Sequence, residues 1–335
     1  MAFIRCDFRL LLAALGLGLA GCTSAPTDPG NSRPQVIADR DGLVLMRLAS
    51  GHTYADAIRA SNGYASREEV ERLNGARQAG TQIVAVPKLA LNPTGFQQNG
   101  YRTIGILCYH QFTQADAVSQ RLEVTAKAFR TQLQYLRDNQ FNVLSMTQVE
   151  EILQGKRELP PKAIVLTIDD GYASVYDVAL PIVREFGFPV TLYVYTDFVG
   201  GGAALSWSQI KELQATGLFD IQSHSKSHSS LSRLEQDKSE VDYHQRVLDE
   251  LVQSKRALER RLGNDTWQIS YPYGNTSDAL PQLMQETGYR LGFTVTRGDN
   301  TVYTDPAFLY RTMIYGDHNL EDFKQITRTF RQKKW

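Results

Sequence analysis

The chain has 335 residues, long for one compact domain and short for three. Hydrophobic residues make up 42% of it and charged residues 21%, an ordinary balance for a protein that builds a core. Lys+Arg and Asp+Glu number 36 each, and no basic run is interleaved with aromatics, so nothing marks a nucleic-acid partner or a surface that steers polyanions.

At the N-terminus, Arg5 and Arg9 precede an apolar run, LLLAALGLGLA, too short to span a bilayer comfortably, which ends in LAGC at residues 19–22. Charge, a short apolar stretch and small residues read as a secretory signal peptide. A cysteine directly after those small residues resembles the lipobox of bacterial lipoproteins. That resemblance implies a signal over 1–21, cleavage before Cys22 and a lipid on Cys22; a plain signal peptide cut near Ala20, or an uncleaved anchor, is the alternative. Cys6 would leave with the signal, so Cys108 alone would keep a free thiol and no internal disulfide is expected. Cys108 lies inside an apolar strand, where a buried, inert thiol is expected. Residues 22–35 carry Pro, Ser, Thr and Gly without an apolar period and read as a tether.

Residues 36–92 form a small unit, with two short helical patterns in SGHTYADAIRASNGYASREEVERLNG and a strand in GTQIVAVPKL. Gly-x-Thr opening a helix, an Asn after the second helix and a strand ending in Val-Pro resemble a LysM module, with His52 where that family usually has an acidic residue. The resemblance implies a small α+β domain that binds N-acetylglucosamine-containing polymers. The plainer alternative is a structural cap on the next domain.

From residue 101 to 335 the pattern alternates. Strand-like runs fall at 103–109, 141–145, 163–168, 189–196, 219–223, 267–271, 290–296 and 310–315, and helical patterns at 126–139, 147–155, 173–187, 206–216, 235–262 and 277–287. Thr147 with Glu150, and Ser206 with Gln209, have capping-box form. Strands alternating with helices imply parallel pairing, and about eight strands in this length fit an α/β fold, a complete or distorted (β/α) barrel. An open doubly wound sheet is the alternative, but no Gly-rich phosphate loop follows the first strand.

The polar residues fall just after the strands, where barrels of this type build their active sites. The first strand ends in LCYH with His110, the third in TIDDGY with Asp169 and Asp170, the fifth runs into SHSKSH with His224 and His228, and the sixth ends in YPYG. Adjacent strand residues point to opposite sides, so Asp169 and Asp170 take different partners. His224 and His228 would both reach one ion if their segment makes a helical turn. Two imidazoles and a carboxylate with an open position suit a catalytic zinc site, while the second carboxylate faces the bound water as a base.

TIDDGY, HSKSH and YPYG, in that order, resemble the first three motifs of the polysaccharide deacetylases, the NodB-homology carbohydrate esterases, over about residues 101–330. The resemblance implies a distorted (β/α) barrel; Asp169 as general base; Asp170, His224 and His228 as ligands of one divalent metal, Zn²⁺ first; and the Tyr273 N–H in the oxyanion hole. The third motif often carries an arginine at the position of Ser270, so its orienting role passes to Arg311 as the substitute. The usual late leucine-x-histidine setting is missing around His318. ILCYHQF instead resembles the Tyr-His motif of poly-N-acetylglucosamine deacetylases, which implies His110 as general acid, with His318 as the alternative. His244 and His52 are expected to be exposed.

The implied activity is N-deacetylation of an extracytoplasmic N-acetylhexosamine polymer, releasing acetate. An exopolysaccharide such as poly-N-acetylglucosamine is the first substrate and peptidoglycan the second, with exopolysaccharide export machinery as a further partner. A non-catalytic glycan-binding barrel and a two-carboxylate glycoside hydrolase are the alternatives; in the latter, H-x-x-x-H would have no task. The lipid would anchor the protein in the bacterial envelope on the periplasmic face. Thr23, where an Asp is the usual inner-membrane retention signal, places it in the outer membrane of a two-membrane host.

Overall fold

The computed structural model describes residues 34–40, 43–61, 67–76, 80–87, 94–97 and 100–332. These belong to two compact units, residues 1–90 and 91–335. The expected signal peptide over 1–21, Cys22 and most of the tether lie outside the described residues; among the described residues no helix is long and apolar enough to cross a membrane.

The small unit runs β1 (Gln35–Arg40), β2 (Leu43–Leu48), α1 (Tyr54–Ala60), α2 (Arg67–Asn74) and β3 (Gln82–Pro87), with the strands in an antiparallel sheet of order β1-β2-β3. Val44, Met46 and Leu48 alternate inward from β2 and meet Val84 and Val86 of β3 and Tyr54, Ala57 and Val70 of the helices. Thr53 opens α1 with a capping box closed by Asp56. Asn74 accepts from the Ala85 N–H (2.7 Å) and donates to the Ala85 carbonyl (2.6 Å), docking α2 on β3. The two strands ahead of the helices were not expected from the sequence. β1 leaves Val36 and Ile37 nearly half exposed, so its pattern carries little of the alternation that marks a half-buried strand.

The larger unit continues with β4 (Phe96–Gln97), β5 (Gly100–Arg102), β6 (Ile104–Tyr109), β7 (Gln111–Thr113), β8 (Glu123–Thr125), α3 (Ala126–Asp138), β9 (Asn142–Val143), α4 (Met146–Leu153) and β10 (Ala163–Ile168). After a π-helical turn, Val175–Ala179, come α5 (Leu180–Phe186), β11 (Val190–Val194), α6 (Trp207–Ala215), β12 (Phe219–Ser223), α7 (Glu240–Leu262), β13 (Gln268–Ser270), α8 (Leu280–Thr287), β14 (Leu291–Phe293), β15 (Thr312–Met313), α9 (Leu320–Ile326) and β16 (Phe330–Gln332). The main sheet is parallel, ordered β14-β13-β12-β11-β10-β6-β15, with β9 beside the start of β10. Its ends meet through one residue: the Leu309 N–H donates to the Gly292 carbonyl, and the Thr294 N–H to the Leu309 carbonyl, both at 2.9 Å. This is a distorted (β/α) barrel whose eight strands lie in the eight runs expected from the sequence.

All six residues of β10 are buried, because a central parallel strand is covered on both faces. Ile164, Leu166 and Ile168 pack toward α3 and α5, while Ala163 and Val165 join Ile104, Ile106, Tyr193 and Phe293 in a second cluster inside the barrel. Two helix starts need correction. The capping box of α4 is Ser145 with Gln148, not Thr147 with Glu150, because Ser145 is where the extended chain turns into the helix (φ −76°, ψ 160°). The 173–187 helix opens as a π turn, next to Pro181, which has no N–H to give an α-helical bond. Ser206 and Gln209 cap α6 as expected.

Candidate active site

The period-2 alternation of the barrel strands brings the polar residues together. On β10 the inward series 163, 165, 167 continues to Asp169; on β6 it runs from Ile104 and Ile106 through Cys108 to His110, and Thr167 pairs with Cys108. On β12, Phe219 and Ile221 face the helices, so the opposite series runs through Asp220 and Gln222 to His224. On β13 the same logic turns Ser270 inward, opposite Ile269 and Tyr271.

Asp169 is 1% exposed and tightly bound. Arg311 grips it at two points (Nη1–Oδ1 and Nη2–Oδ2, both 2.7 Å), Ser270 Oγ donates to Oδ2 (3.0 Å) and Cys108 Sγ lies 3.5 Å from Oδ2. Arg311 also donates to the Thr294 carbonyl, Thr167 Oγ1 and Ser270 Oγ, so five acceptor atoms meet its five N–H donors. Burial alone would raise the Asp169 carboxyl, but the Arg311 guanidinium, with His224, overrides it and holds Asp169 well below the usual carboxylate range. Ser270 therefore stands where an arginine was the more familiar residue, and the guanidinium arrives instead from just before β15.

Asp170 leaves the strand in the left-handed region (φ 73°), followed by Gly171 (φ 86°), where a Cβ would lie 2.8 Å from Val194 Cγ1. The reversal turns the second carboxylate to a different set of partners. His224 Nε2 is 3.4 Å and His228 Nε2 3.5 Å from Asp170 Oδ1, and one ligand atom from each of the three residues lies within 4.8 Å of the others. His224 Nδ1 meets the Ser270 carbonyl at 2.8 Å, which assigns the proton to Nδ1 and leaves the Nε2 lone pair aimed at a carboxylate oxygen. Two acceptors facing each other need a cation between them, either a proton or a metal ion. Burial would lower the His224 pKa, but Asp169 and Asp170 reverse this and raise it. This donor set, two imidazoles and one carboxylate, fits a divalent ion of the zinc type.

The segment 224–228 is not the helical turn expected from the spacing. Ser225 (φ 70°) and His228 (φ 63°) both take left-handed conformations. Among the described residues, six non-glycine residues have positive φ, and four of them, Asp170, Ser225, His228 and Tyr273, are in this site. Tyr273 (φ 61°) sets its ring edge-on to His228, centroids 4.6 Å apart, with the side chain largely exposed.

His110 is 8% exposed, and its Nδ1 has no hydrogen-bond partner. Burial pulls its pKa below the ordinary imidazole value, with Asp169 and Asp170 opposing. Cys108, His110 and Asp169 each offer an atom within 4.8 Å of the others. Cys108 is buried as expected, yet it touches Asp169; its position two residues before His110 on one strand was the signal for this. His318 belongs to neither cluster. Its Nδ1 accepts from the Tyr315 N–H, so it closes a local turn. His52 and His244 are half-buried, not exposed. His52 Nδ1 accepts from the Ala49 N–H, and the His244 ring leans on Tyr243.

Residues 156–292 match the family model described as polysaccharide deacetylase. The poly-β-1,6-N-acetyl-D-glucosamine N-deacetylase of Escherichia coli (strain K12) is 25% identical over 273 residues, 70% of this chain and 39% of that protein. YxkH of Bacillus subtilis (strain 168) is 27% identical over 193 residues, 58% of this chain and 64% of its own length. The chain thus spans less than two thirds of either relative. Among solved structures, the Streptococcus pyogenes deacetylase PplD, determined with acetate, superposes with a TM-score of 0.59 at 28% identity, covering 68% of this chain and 98% of that one. IcaB from Ammonifex degensii gives 0.59 at 27%, covering 68% and 97%. Motif order, barrel and site geometry agree with these matches, and in its larger unit the chain is similar to the polysaccharide deacetylase family.

Proposed function

We propose that this protein is a metal-dependent N-deacetylase of an N-acetylhexosamine polymer, poly-N-acetylglucosamine first. The observation that carries the reading is the convergence of Asp170, His224 and His228 on one point beside the ionised Asp169 and the neutral His110. A divalent ion held by those three residues would polarise the acetamide carbonyl and acidify water near neutral pH. Asp169 is the base. Its Oδ2 is occupied by Arg311, Ser270 and Cys108, whereas Oδ1 carries only the Arg311 bond and has capacity for a proton. Arg311 fixes the carboxylate plane and keeps it ionised. The Tyr273 N–H serves as an oxyanion donor, a contribution of about 3 kcal/mol for such groups. His110, neutral at rest, acts as the acid once it has taken up a proton: the imidazolium gives that proton to the leaving amine and returns to the neutral ring, while the proton Asp169 takes from water keeps the overall balance. The products are acetate and a free amino sugar.

Peptidoglycan is the second substrate. It is supported by the small unit, whose helix pair, Asn74 clasp and closing strand follow the LysM order. Lipidation of Cys22 and an outer-membrane place on the periplasmic face rest on the LAGC stretch and on Thr23. Partnership with exopolysaccharide export machinery rests on the substrate class. Acetate release from β-1,6- and β-1,4-linked N-acetylglucosamine oligomers, by full-length protein with and without chelator, tests the activity. Release that stops with chelator and returns with zinc is the expected result. Chelator-insensitive cleavage of the glycosidic bond, or binding of glycan without acetate release in the zinc-loaded protein, would overturn it.

A further inference from the structure

Of the five backbone N–H groups in His224–His228, only that of His224 is bonded to a backbone carbonyl, that of Val194. Side chains take the other four. The Ser225 N–H donates to Ser223 Oγ and the His228 N–H to Ser225 Oγ, both at 3.1 Å. The N–H groups of Lys226 and Ser227 both donate to Glu250 Oε2 at 2.9 Å, and Ser227 Oγ donates to Glu250 Oε1 at 2.5 Å. Glu250 is 8% exposed and sits on α7. One helical turn on either side, α7 holds the flanks of the same segment. Arg246 donates to the carbonyls of Ser230 and Ser232 (2.7 Å each) and to Asp237, and Ser254 Oγ meets Ser223 Oγ at 2.9 Å. Residues 246, 250 and 254 share one helical face at a spacing of four.

A turn with two left-handed non-glycine residues is unfavourable by itself, at about 1–3 kcal/mol per residue, and persists only where its surroundings over-determine it. We propose that Glu250, seconded by Arg246, is a positioning residue for metal binding: it holds the 224–228 turn in the strained conformation that presents His228 to Asp170 and His224. Glu250 bonds to the Lys226 and Ser227 N–H groups and to Ser227 Oγ, not to a ring nitrogen of His224 or His228. It acts by supplying an acceptor for two N–H groups that bond to no backbone carbonyl in this turn. The inference rests on the reading of Asp170, His224 and His228 as metal ligands, and it assigns to α7 a role that the sequence motifs do not contain.

The test is Co²⁺ titration of the full-length protein, read by visible absorption and by competition with a chelator, together with hydrogen exchange of the 224–228 amides in the metal-free state. Glu250→Met keeps the length and removes the acceptors; Glu250→Gln keeps an oxygen for the two N–H groups. In Glu250→Met, Co²⁺ affinity should fall about tenfold or more, in the range for residues that orient metal ligands, with an altered Co²⁺ spectrum and faster exchange at 226–228. Glu250→Gln should restore most of each. A merely structural role would lower thermal stability and leave the spectrum and affinity of the folded protein unchanged, and that result overturns the proposal. Asp170→Asn separates the two readings. If it binds Co²⁺ as wild type does, the metal assignment is wrong, and unchanged exchange at 226–228 in Glu250→Met then also overturns the positioning role. Should Glu250→Met not fold, Arg246→Met is read the same way, and wild-type affinity with wild-type exchange there overturns the proposal.

Discussion

Arg311 and Asp169 form a two-point ion pair, both contacts at 2.7 Å, with neither side chain more than 1% exposed. The geometry joins catalysis to stability at one residue. Breaking such a pair from one side leaves a buried charge without its partner, at a cost of about 3–5 kcal/mol. Asp169→Asn should therefore lose both acetate release and about that much unfolding free energy, as measured by urea titration. Unchanged stability would mean that Arg311 finds another counter-charge.

His110 should behave in the opposite way. Its Nδ1 has no partner to lose, so removing the ring breaks no hydrogen bond at that atom. His110→Asn is expected to lower kcat by about 10²–10⁴-fold, the usual contribution of a positioned acid or base, while the urea midpoint stays near that of wild type. A fall in kcat of less than tenfold would remove His110 from the mechanism.

In metal-free protein, Asp169 and His110 are two of the groups that make stability depend on pH. The Asp169 carboxyl is held low in the folded state, so its contribution is complete above the unfolded carboxylate pKa of about 4 and is lost as pH falls through the lower folded value. His110 is also lowered; the unfolded chain takes up its proton near pH 6.5 while the folded one stays neutral, so stability drains as pH falls below about 6.5. Unfolding at pH 7, 5.5 and 4 should show a loss between the first two points that is smaller in His110→Asn. Equal losses would contradict a neutral buried His110.

Chelation should remove activity and stability together. A ligand that binds only the folded state at 100 times its Kd adds about 2.7 kcal/mol, so zinc-loaded protein should melt above chelated protein, and His224→Ala should erase the difference. Equal melting temperatures in wild type would argue against a bound ion.

Gly171→Ala tests the turn after the carboxylates. At φ 86°, and with its new Cβ 2.8 Å from Val194, alanine forces a backbone shift next to Asp170. Activity should drop by an order of magnitude or more, with a stability loss of about 1–3 kcal/mol. Wild-type kinetics would show that Asp170 tolerates the displacement.

What the sequence by itself determined is what local pattern carries. Continuous apolar runs marked the eight barrel strands, because parallel strands are covered on both faces. Serine followed three residues later by glutamine marked the α6 start. The adjacency of Asp169 and Asp170 at a strand end suggested different partners by alternation, but the left-handed turn at Asp170 (φ 73°) is what separates them. Where two capping patterns overlapped, at Ser145 and Thr147, local pattern could not choose between them; the turn from extended chain decided. Only the tertiary structure brought Arg311 across 142 positions to Asp169 and set Glu250 under the histidine turn. The physical reason is common to both. In sequence Arg311 is only a substitute suggested by the resemblance, with no partner named, and a glutamate on a long charged helix looks like an ordinary surface residue. Their partners are a carboxylate and two backbone amides that packing alone brings within reach.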